Sequence, residues 1–422
     1  MSTTVLTPVM SHISRVPVEH LSSIFIMCDA ERHDEMPDLK WAPLCLLLVC
    51  SEWKRIALRT AALWNHLHVD FYDSALKKHT SLINTWISRS GNLPLALSFN
   101  MSSVKISSEP LMALLGLTWR LKVLRLRLNE GQRTFLYILQ MRQMPLLESM
   151  ELCINESRLL TWANTGGIDL NHFCPALRAL LLRQGAYFYI LDAPWSQLST
   201  LRIPYEELEF TDAYNLMKKC SSLVECSLFI APSHDLMDFG GSGPLILLPL
   251  LQILSIRSYG ENTGDFLQHF TLPSLKSLYL EPELIDCPKY DHQFPVKLYQ
   301  FQQQSGAHLE DLSLDGFDLT HEAFFDFLAI NPSLSYLRVF GCKIFMEEFC
   351  KTMLVSPDST TNILPNMVVL DIQFFEQSTK DHQLLDVLES RFKPQNSSSH
   401  VGVPVKKLKN VSVQLRDDME DD

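Results

Sequence analysis

From residue 121 onward the chain repeats one arrangement of apolar positions, Leu-x-x-Leu-x-Leu with conservative replacements, eleven times. The units are Leu121-Leu124-Leu126, Leu147-Met150-Leu152, Leu177-Leu180-Leu182, Leu198-Leu201-Ile203, Leu223-Cys226-Leu228 and Leu251-Leu254-Ile256. They continue as Leu275-Leu278-Leu280, Leu309-Leu312-Leu314, Leu334-Leu337-Val339, Met367-Leu370-Ile372 and Leu408-Val411-Val413. The last two positions of each unit are two residues apart, the spacing that puts side chains on one face of a strand. Each unit therefore predicts a short strand with an apolar inner face, its first leucine capping the core at the bend before the strand. No single unit can bury that face, so the strands must stack. Successive units start 26, 30, 21, 25, 28, 24, 34, 25, 33 and 41 residues apart, which leaves room for a helix or a loop between strands. Helices are predicted over 134–142, 212–219, 320–330 behind Thr320 as N-cap, and 380–392. Proline precedes many units, as in Met144-Pro145, Cys174-Pro175 and Leu272-Pro273, and marks the turn into each strand.

Upstream the period is helical. Pro17 suits the first turn of a helix, and Leu21, Ile24, Phe25 and Cys28 follow at spacings that place them on one face, with Glu19 near the positive end. The run 42–50 is apolar all round, which predicts a helix buried on more than one side. Trp53, Ile56 and Ala57 continue the buried stripe, Glu52, Lys54 and Arg55 face water, and Leu63-Trp64 supplies a terminal anchor. Between the first two helices, Glu31, Arg32, His33, Asp34 and Glu35 read as a solvated loop. Further on, 82–90 predicts a helix ended by Gly91, and 95–99 an extended strand.

The order and spacing of Val16-Pro17-Val18-Glu19-His20-Leu21, Ile24-Phe25, Pro43-Leu44, Val49-Cys50-Ser51-Glu52-Trp53 and Leu63-Trp64 resemble an F-box. The stretch from Leu82 to Leu95 is similar to one that follows the F-box in a large family of basidiomycete, that is fungal, proteins. The repeated unit resembles leucine-rich repeats. Together these resemblances imply an α/β chain with an F-box-like helical domain over 11–70 and a linker helix over 71–93. An irregular leucine-rich-repeat solenoid follows over 94–415, strands on its concave face and helices and loops on its convex face, and an acidic tail over 416–422 ends the chain. They further imply a non-catalytic role as substrate-recognition subunit of an SCF-type ubiquitin ligase, docking a Skp-type adaptor and through it a cullin, while the repeats hold a target protein. Pro17, Leu21, Ile24, Phe25, Leu44, Val49, Trp53 and Ile56 match the F-box pattern and are the adaptor-binding candidates. The chain departs from the pattern at Val16, where the family usually has Leu, and in a longer, more charged link between the first two helices. Two other roles share this plan: an F-box scaffold outside any ligase, and a repeat protein that receives a small ligand.

With the leucines inward, the residues between them face the concave side. In the first four repeats these include Arg125, Arg127, Glu151, Arg183 and Arg202, a mainly basic set. In the later repeats they include Glu225, Phe229, Arg257, Tyr279, Glu281, Asp311, Asp315, Tyr336, Arg338, Phe340 and Asp371, mainly acidic with aromatics between. Eleven strands spaced about 4.8 Å apart make an arc on the order of 50 Å, the size of surface that grips a protein. Arg125, Arg127, Arg183, Arg202, Phe229, Tyr279, Tyr336 and Phe340 are the target-binding candidates, since arginines and aromatics dominate interface energetics. For any one of them, a role in solubility is the simpler reading.

Composition narrows the function. The chain has 422 residues, 46% of them apolar, enough for a large core and more than one folding unit. Residues 1–90 carry nine Lys/Arg and nine Asp/Glu, so the net charge of −12 lies wholly in 91–422, which disfavours nucleic-acid binding. The ten cysteines are scattered without a C-x-x-C pair, as expected in a reducing compartment, cytoplasm or nucleus. No secretory signal opens the chain, so the Asn-x-Ser sequons at Asn100, Asn155, Asn396 and Asn410 read as chance, and the longest apolar runs fall short of the roughly 20 residues of a membrane span. Catalytic motifs are absent from the sequence: Gly240-Gly241-Ser242-Gly243 is no phosphate loop, and His66-x-His68 with Asp70 and Asp73 reads as a surface strand rather than a metal site. Neither a cofactor nor a metal is implied.

Overall fold

The structure, a computed structural model, describes residues 12–29, 35–103, 109–132, 134–155, 167–184, 191–231, 244–259, 263–282, 291–355, 362–375, 381–392 and 405–416. The glycine run at 240–243 and the acidic tail lie outside them. The fold is mixed α/β, built on parallel strands. It divides into two compact units, Met1–Leu177 with Arg183–Pro194, and Arg178–Leu182 with Trp195–Asp422.

The first unit opens with helices Val18–Asp29, Leu46–Val49 and Ser51–Arg59 and the single turn Ala61–Trp64. Their core is Leu21, Phe25, Ile56, Ala57, Leu63 and Trp64, each at most 3% exposed. Phe25 packs on Trp53 with ring centroids 4.8 Å apart, and the Trp64 indole donates to the Ala57 carbonyl. Burial here is narrower than the sequence predicts. Ile24 and Cys28 face outward, and in the apolar run 42–50 only Pro43 and Leu46 are buried while Leu48 and Val49 are exposed. A four-residue helix followed at once by another presents too little surface to be enclosed on every side. Strands His66–Asp70, Leu95–Asn100, Leu121–Asn129 and Ser149–Asn155 then form a parallel ladder in that order. Helix Leu76–Arg89 lies within the linker 71–93 and ends before Gly91, whose φ of +57° is the left-handed conformation that suits a chain reversal there.

In the second unit nine parallel strands follow one another: Ala179–Leu182, Thr200–Leu208, Glu225–Ile230, Ile253–Ser258, Ser277–Pro282, Asp311–Asp315, Tyr336–Phe340, Val369–Phe375 and Asn410–Arg416. Every predicted motif lies on a strand. The motif residues are buried in all but the last unit, where Leu408 is buried but Val411 and Val413, at the end of the sheet, are partly exposed. Register aligns them: Cys226 pairs with Leu254, Leu254 with Leu278, Leu278 with Leu312, Leu312 with Leu337 and Leu337 with Leu370.

The prolines have a specific geometric task. The N–H of the first motif residue donates to the carbonyl three residues earlier, Leu147 to Met144, Leu177 to Cys174, Leu275 to Leu272 and Met367 to Leu364. Pro145, Pro175, Pro273 and Pro365 each occupy the second position of that turn, where a φ fixed near −65° is already correct.

Helices alternate with many of the strands along the chain. Thr134–Leu139, Phe210–Lys219, Ala323–Ala329 and Asp381–Phe392 fall where the sequence predicts them. Thr320 is not the N-cap of Ala323–Ala329; its amide and hydroxyl both bond to Asp318 Oδ1, which closes a turn before the helix. Phe294–Ser305, Thr263–Gln268 and Met346–Met353 are further helices between strands, beyond those predicted from sequence. Their phenylalanines Phe266, Phe294, Phe301 and Phe349 are among the most buried side chains. Cys174, Cys220, Cys226 and Cys342 sit in this apolar interior as free thiols, with burial pushing Cys174, Cys220 and Cys342 up to about 12. No helix among the described residues is long and apolar enough to cross a membrane.

Candidate docking surfaces

Two surfaces carry the residues singled out from sequence. The first is on the N-terminal helices. Of the eight F-box-pattern residues, Leu21, Phe25 and Ile56 are buried and hold the helices together, which leaves little of their surface displayed. Leu44 and Trp53 are half-buried. Pro17, Ile24 and Val49 are exposed. Pro17 immediately precedes the helix, and its carbonyl accepts from Leu21 N. The exposed apolar set extends beyond the pattern: Ile24 is 47% exposed, Met27 66%, Leu48 67% and Val49 57%. His20, Ile24 and Met27 fall at i, i+4 and i+7, a single stripe on the helix side away from Leu21 and Phe25. Met27 and Leu48 escaped notice because apolar periodicity alone does not tell a buried stripe from a displayed one.

The charged link between the first two helices bears on this face. Its described part, 35–41, packs on the first strand: the Asp70 amide donates to Met36 Sδ, and Met36, Trp41 and Pro43 line a crevice with His66, Leu67, His68 and Trp86. Ile24, Met27, Leu48 and Val49 stay uncovered. On the same strand His68 is engaged with Ser98 at 2.8 Å and Asp70 at 3.4 Å, and no cluster of three metal-ligating side chains exists among the described residues.

The second surface is the face of the strands opposite the motif leucines. The sequence predicts a basic patch from Arg125, Arg127, Arg183 and Arg202, and the structure corrects this. In the first unit Glu151 takes both Arg183, at 2.6 Å, and Arg125, at 3.7 Å. In the second unit Arg202 is bonded to Glu225. Strand register produces this neutralisation, since Arg125 stands opposite Glu151, Arg257 opposite Glu281 and Arg338 opposite Asp371. Opposite charges directly across neighbouring strands attract, whereas one sign in a row would repel. Arg127 is exposed at the end of the same row.

Aromatic candidates divide in the same way. Phe229 is only 7% exposed, packed under Tyr259 at 5.5 Å and beneath the Arg257 guanidinium, so it offers a partner little surface. Tyr279, Tyr336 and Phe340 are half-exposed, and Arg338 lies 4.9 Å from the centre of the Phe340 ring.

One carboxylate of this face, Asp315, has no ion pair among the described residues. Asp315 stands in register with Phe340 and, on the other side, follows the row of Glu281. Burial holds its carboxyl above the usual range, Arg338 pulling it back and Glu281 pushing it further up. Gly341 makes room for it, since a Cβ there would lie 3.1 Å from Asp315 Oδ1. Beyond Arg338, the buried Oδ1 of Asp371 and Oε1 of Gln373 have no hydrogen-bond partner among the described residues, and neither has Nε of Arg338 itself. The sequence placed Asp315, Arg338, Phe340 and Asp371 in the acidic, aromatic later part of this face but gave no reason to notice Gln373. No family model matches the chain, and no curated protein is similar enough to it to count as a relative.

Proposed function

We propose that this chain is the target-holding subunit of an SCF-type ubiquitin ligase, docking a Skp-type adaptor, and through it a cullin, by its N-terminal helices. The observation that carries the reading is the display of Ile24, Met27, Leu48 and Val49 on helices whose own core is already complete without them. Exposed apolar side chains grouped on a small helical module mark a protein-docking surface. On this reading the chain performs no ubiquitin chemistry. It works by proximity, raising the effective concentration of a bound target near a charged conjugating enzyme. The repeated turn, strand and inward leucines support an irregular leucine-rich-repeat solenoid as the holding part, and the free thiols suit cytoplasm or nucleus.

The test is binding of the full chain to a purified Skp-type adaptor, followed by recruitment of a cullin. Ile24→Asp with Leu48→Asp should remove adaptor binding while the melting transition is kept, because hot-spot side chains contribute about 2 kcal/mol or more each. A wild-type chain that leaves the adaptor free at micromolar concentrations overturns the reading. Adaptor binding without cullin recruitment assigns the chain to the scaffold role instead.

A further inference from the structure

We propose that the strand face around Asp315 and Asp371 is a subsite for a cationic side chain, lysine or arginine, of a protein segment laid along the sheet. The inference rests on the reading of this face as the target-holding surface and specifies the chemistry of the target.

Charge matching on the rest of the face makes this place distinct. Elsewhere the acids of the face have partners of their own: Glu151 meets Arg125 and Arg183, Glu225 meets Arg202, Glu281 meets Arg257 at 3.5 Å, and Asp311 accepts from the Ser277 hydroxyl at 2.8 Å. Here one guanidinium, Arg338, serves two carboxylates. It stands between the strands of Asp315 and Asp371, in register with Asp371 and paired with it at 3.7 Å, as Arg125 is with Glu151, and no ion pair to Asp315 exists among the described residues. One negative charge is left over.

Hydrogen-bonding capacity points the same way. Gln373 is 9% exposed, and its Oε1 and Asp371 Oδ1 are buried acceptors without a donor among the described residues. A buried acceptor left unpaired is costly, so such atoms in a folded protein point to a missing partner. Asp371 and Gln373 are two residues apart on one strand and therefore share a face. A cationic group with several N–H donors laid on this face supplies donors to these acceptors and charge that balances the surplus carboxylate. An ammonium or guanidinium is that group; an anion is repelled, and an apolar side chain leaves the acceptors unpaired. The half-exposed rings of Phe340 and Tyr336 beside it add surface on which the aliphatic stem of such a side chain can lie.

The experiment is a fluorescence-anisotropy titration of the full chain with labelled hexa-arginine and hexa-lysine peptides, and with hexa-citrulline as the uncharged analogue of arginine. Both cationic peptides should bind, and hexa-citrulline about tenfold more weakly or worse. Asp315→Asn with Asp371→Asn should weaken cationic peptide binding about tenfold, while Glu347→Gln with Glu348→Gln, the same loss of charge at exposed positions of helix Met346–Met353, should change it less than about twofold. Equal losses in the two variants reveal charge attraction without a site and overturn the proposal, as does citrulline binding as well as arginine. The adaptor titration is read on the same samples. Site-selective cation binding without adaptor docking overturns the ligase reading alone, and adaptor docking without cation selectivity overturns the subsite alone.

Discussion

Arg183 donates from Nε to Oε1 of Glu151 over 2.6 Å, while Arg125 approaches the second oxygen of the same carboxylate from the other side. Glu151 is the least exposed of the three, with 15% of its side chain accessible. Both arginines meet this one carboxylate, so removing its charge takes away the anion that lies between two guanidinium groups. Glu151→Gln should therefore lower stability by about 1–2 kcal/mol, less than a fully buried pair because both arginines are partly solvated. Arg125→Gln should cost under about 1 kcal/mol, since the short bond to Arg183 survives. Urea unfolding of the two variants beside wild type checks the order. Equal midpoints for Glu151→Gln and wild type would show that the carboxylate does not hold these strands.

Neighbouring residues on the first helix should behave oppositely. Phe25 is 1% exposed against Trp53, whereas Ile24 is 47% exposed. Phe25→Ala should cost about 3–5 kcal/mol, the usual effect of emptying a packed aromatic site. Ile24→Ser should stay within about 0.5 kcal/mol of wild type, as surface changes do. Thermal melts of the two variants decide it, and a large loss at Ile24 would mean that its side chain completes the core rather than displaying an apolar surface.

That pair also shows what the sequence could convey. The strand motifs were legible because a fixed spacing of leucines admits one geometry, and the turn prolines fixed where each strand begins. The helical module was legible in outline, but both Ile24 and Phe25 fit its apolar period, and only packing against Trp53 separates them. Charges on the sheet face misled for a different reason. Arg125 and Arg183 look alike in a list of residues, yet register sets Arg125 opposite Glu151 and Arg183, just past the end of its strand, reaches the same carboxylate, and register depends on how far each connecting segment returns the chain. Gln373 carried no signal at all, because an unsatisfied acceptor is a property of its neighbours and not of its residue type.

Arg391 is a large charged side chain that is 1% exposed, and among the described residues it meets backbone carbonyls rather than an acid. Nε donates to Met353 O at 2.6 Å, Nη1 to Leu364 O at 3.1 Å and Nη2 to Ile363 O at 2.8 Å. Burial lowers its pKa to about 10, which leaves it charged at neutral pH. The guanidinium thus ties helix Asp381–Phe392 to the end of helix Met346–Met353 and to the turn before strand Val369–Phe375. Arg391→Met keeps much of the volume but strands three carbonyls, and should cost about 3 kcal/mol or more. Lysine, with one point charge, cannot reach all three acceptors and should recover only part of the loss. Full stability of Arg391→Met in chemical denaturation would show that the carbonyls find other donors.

Asp315 supplies a pH-dependent prediction whose sign follows from its burial. The folded chain disfavours its carboxylate, so its folded pKa lies above the unfolded value. Above both values the native state carries the full penalty of a half-buried charge. As pH falls through the raised folded value, the native state takes up a proton before the unfolded chain does, and the penalty is relieved. Asp315→Asn imitates the protonated form at every pH. It should therefore raise the urea midpoint at neutral pH, and the advantage should shrink as pH falls through the raised pKa and vanish below the ordinary carboxylate range. A midpoint difference independent of pH would instead assign the gain to packing of the amide. The variant that stabilises the fold is the one that should weaken capture of a cationic side chain, so stability and peptide binding ought to move in opposite directions. A variant that loses both has simply lost its structure around residue 315.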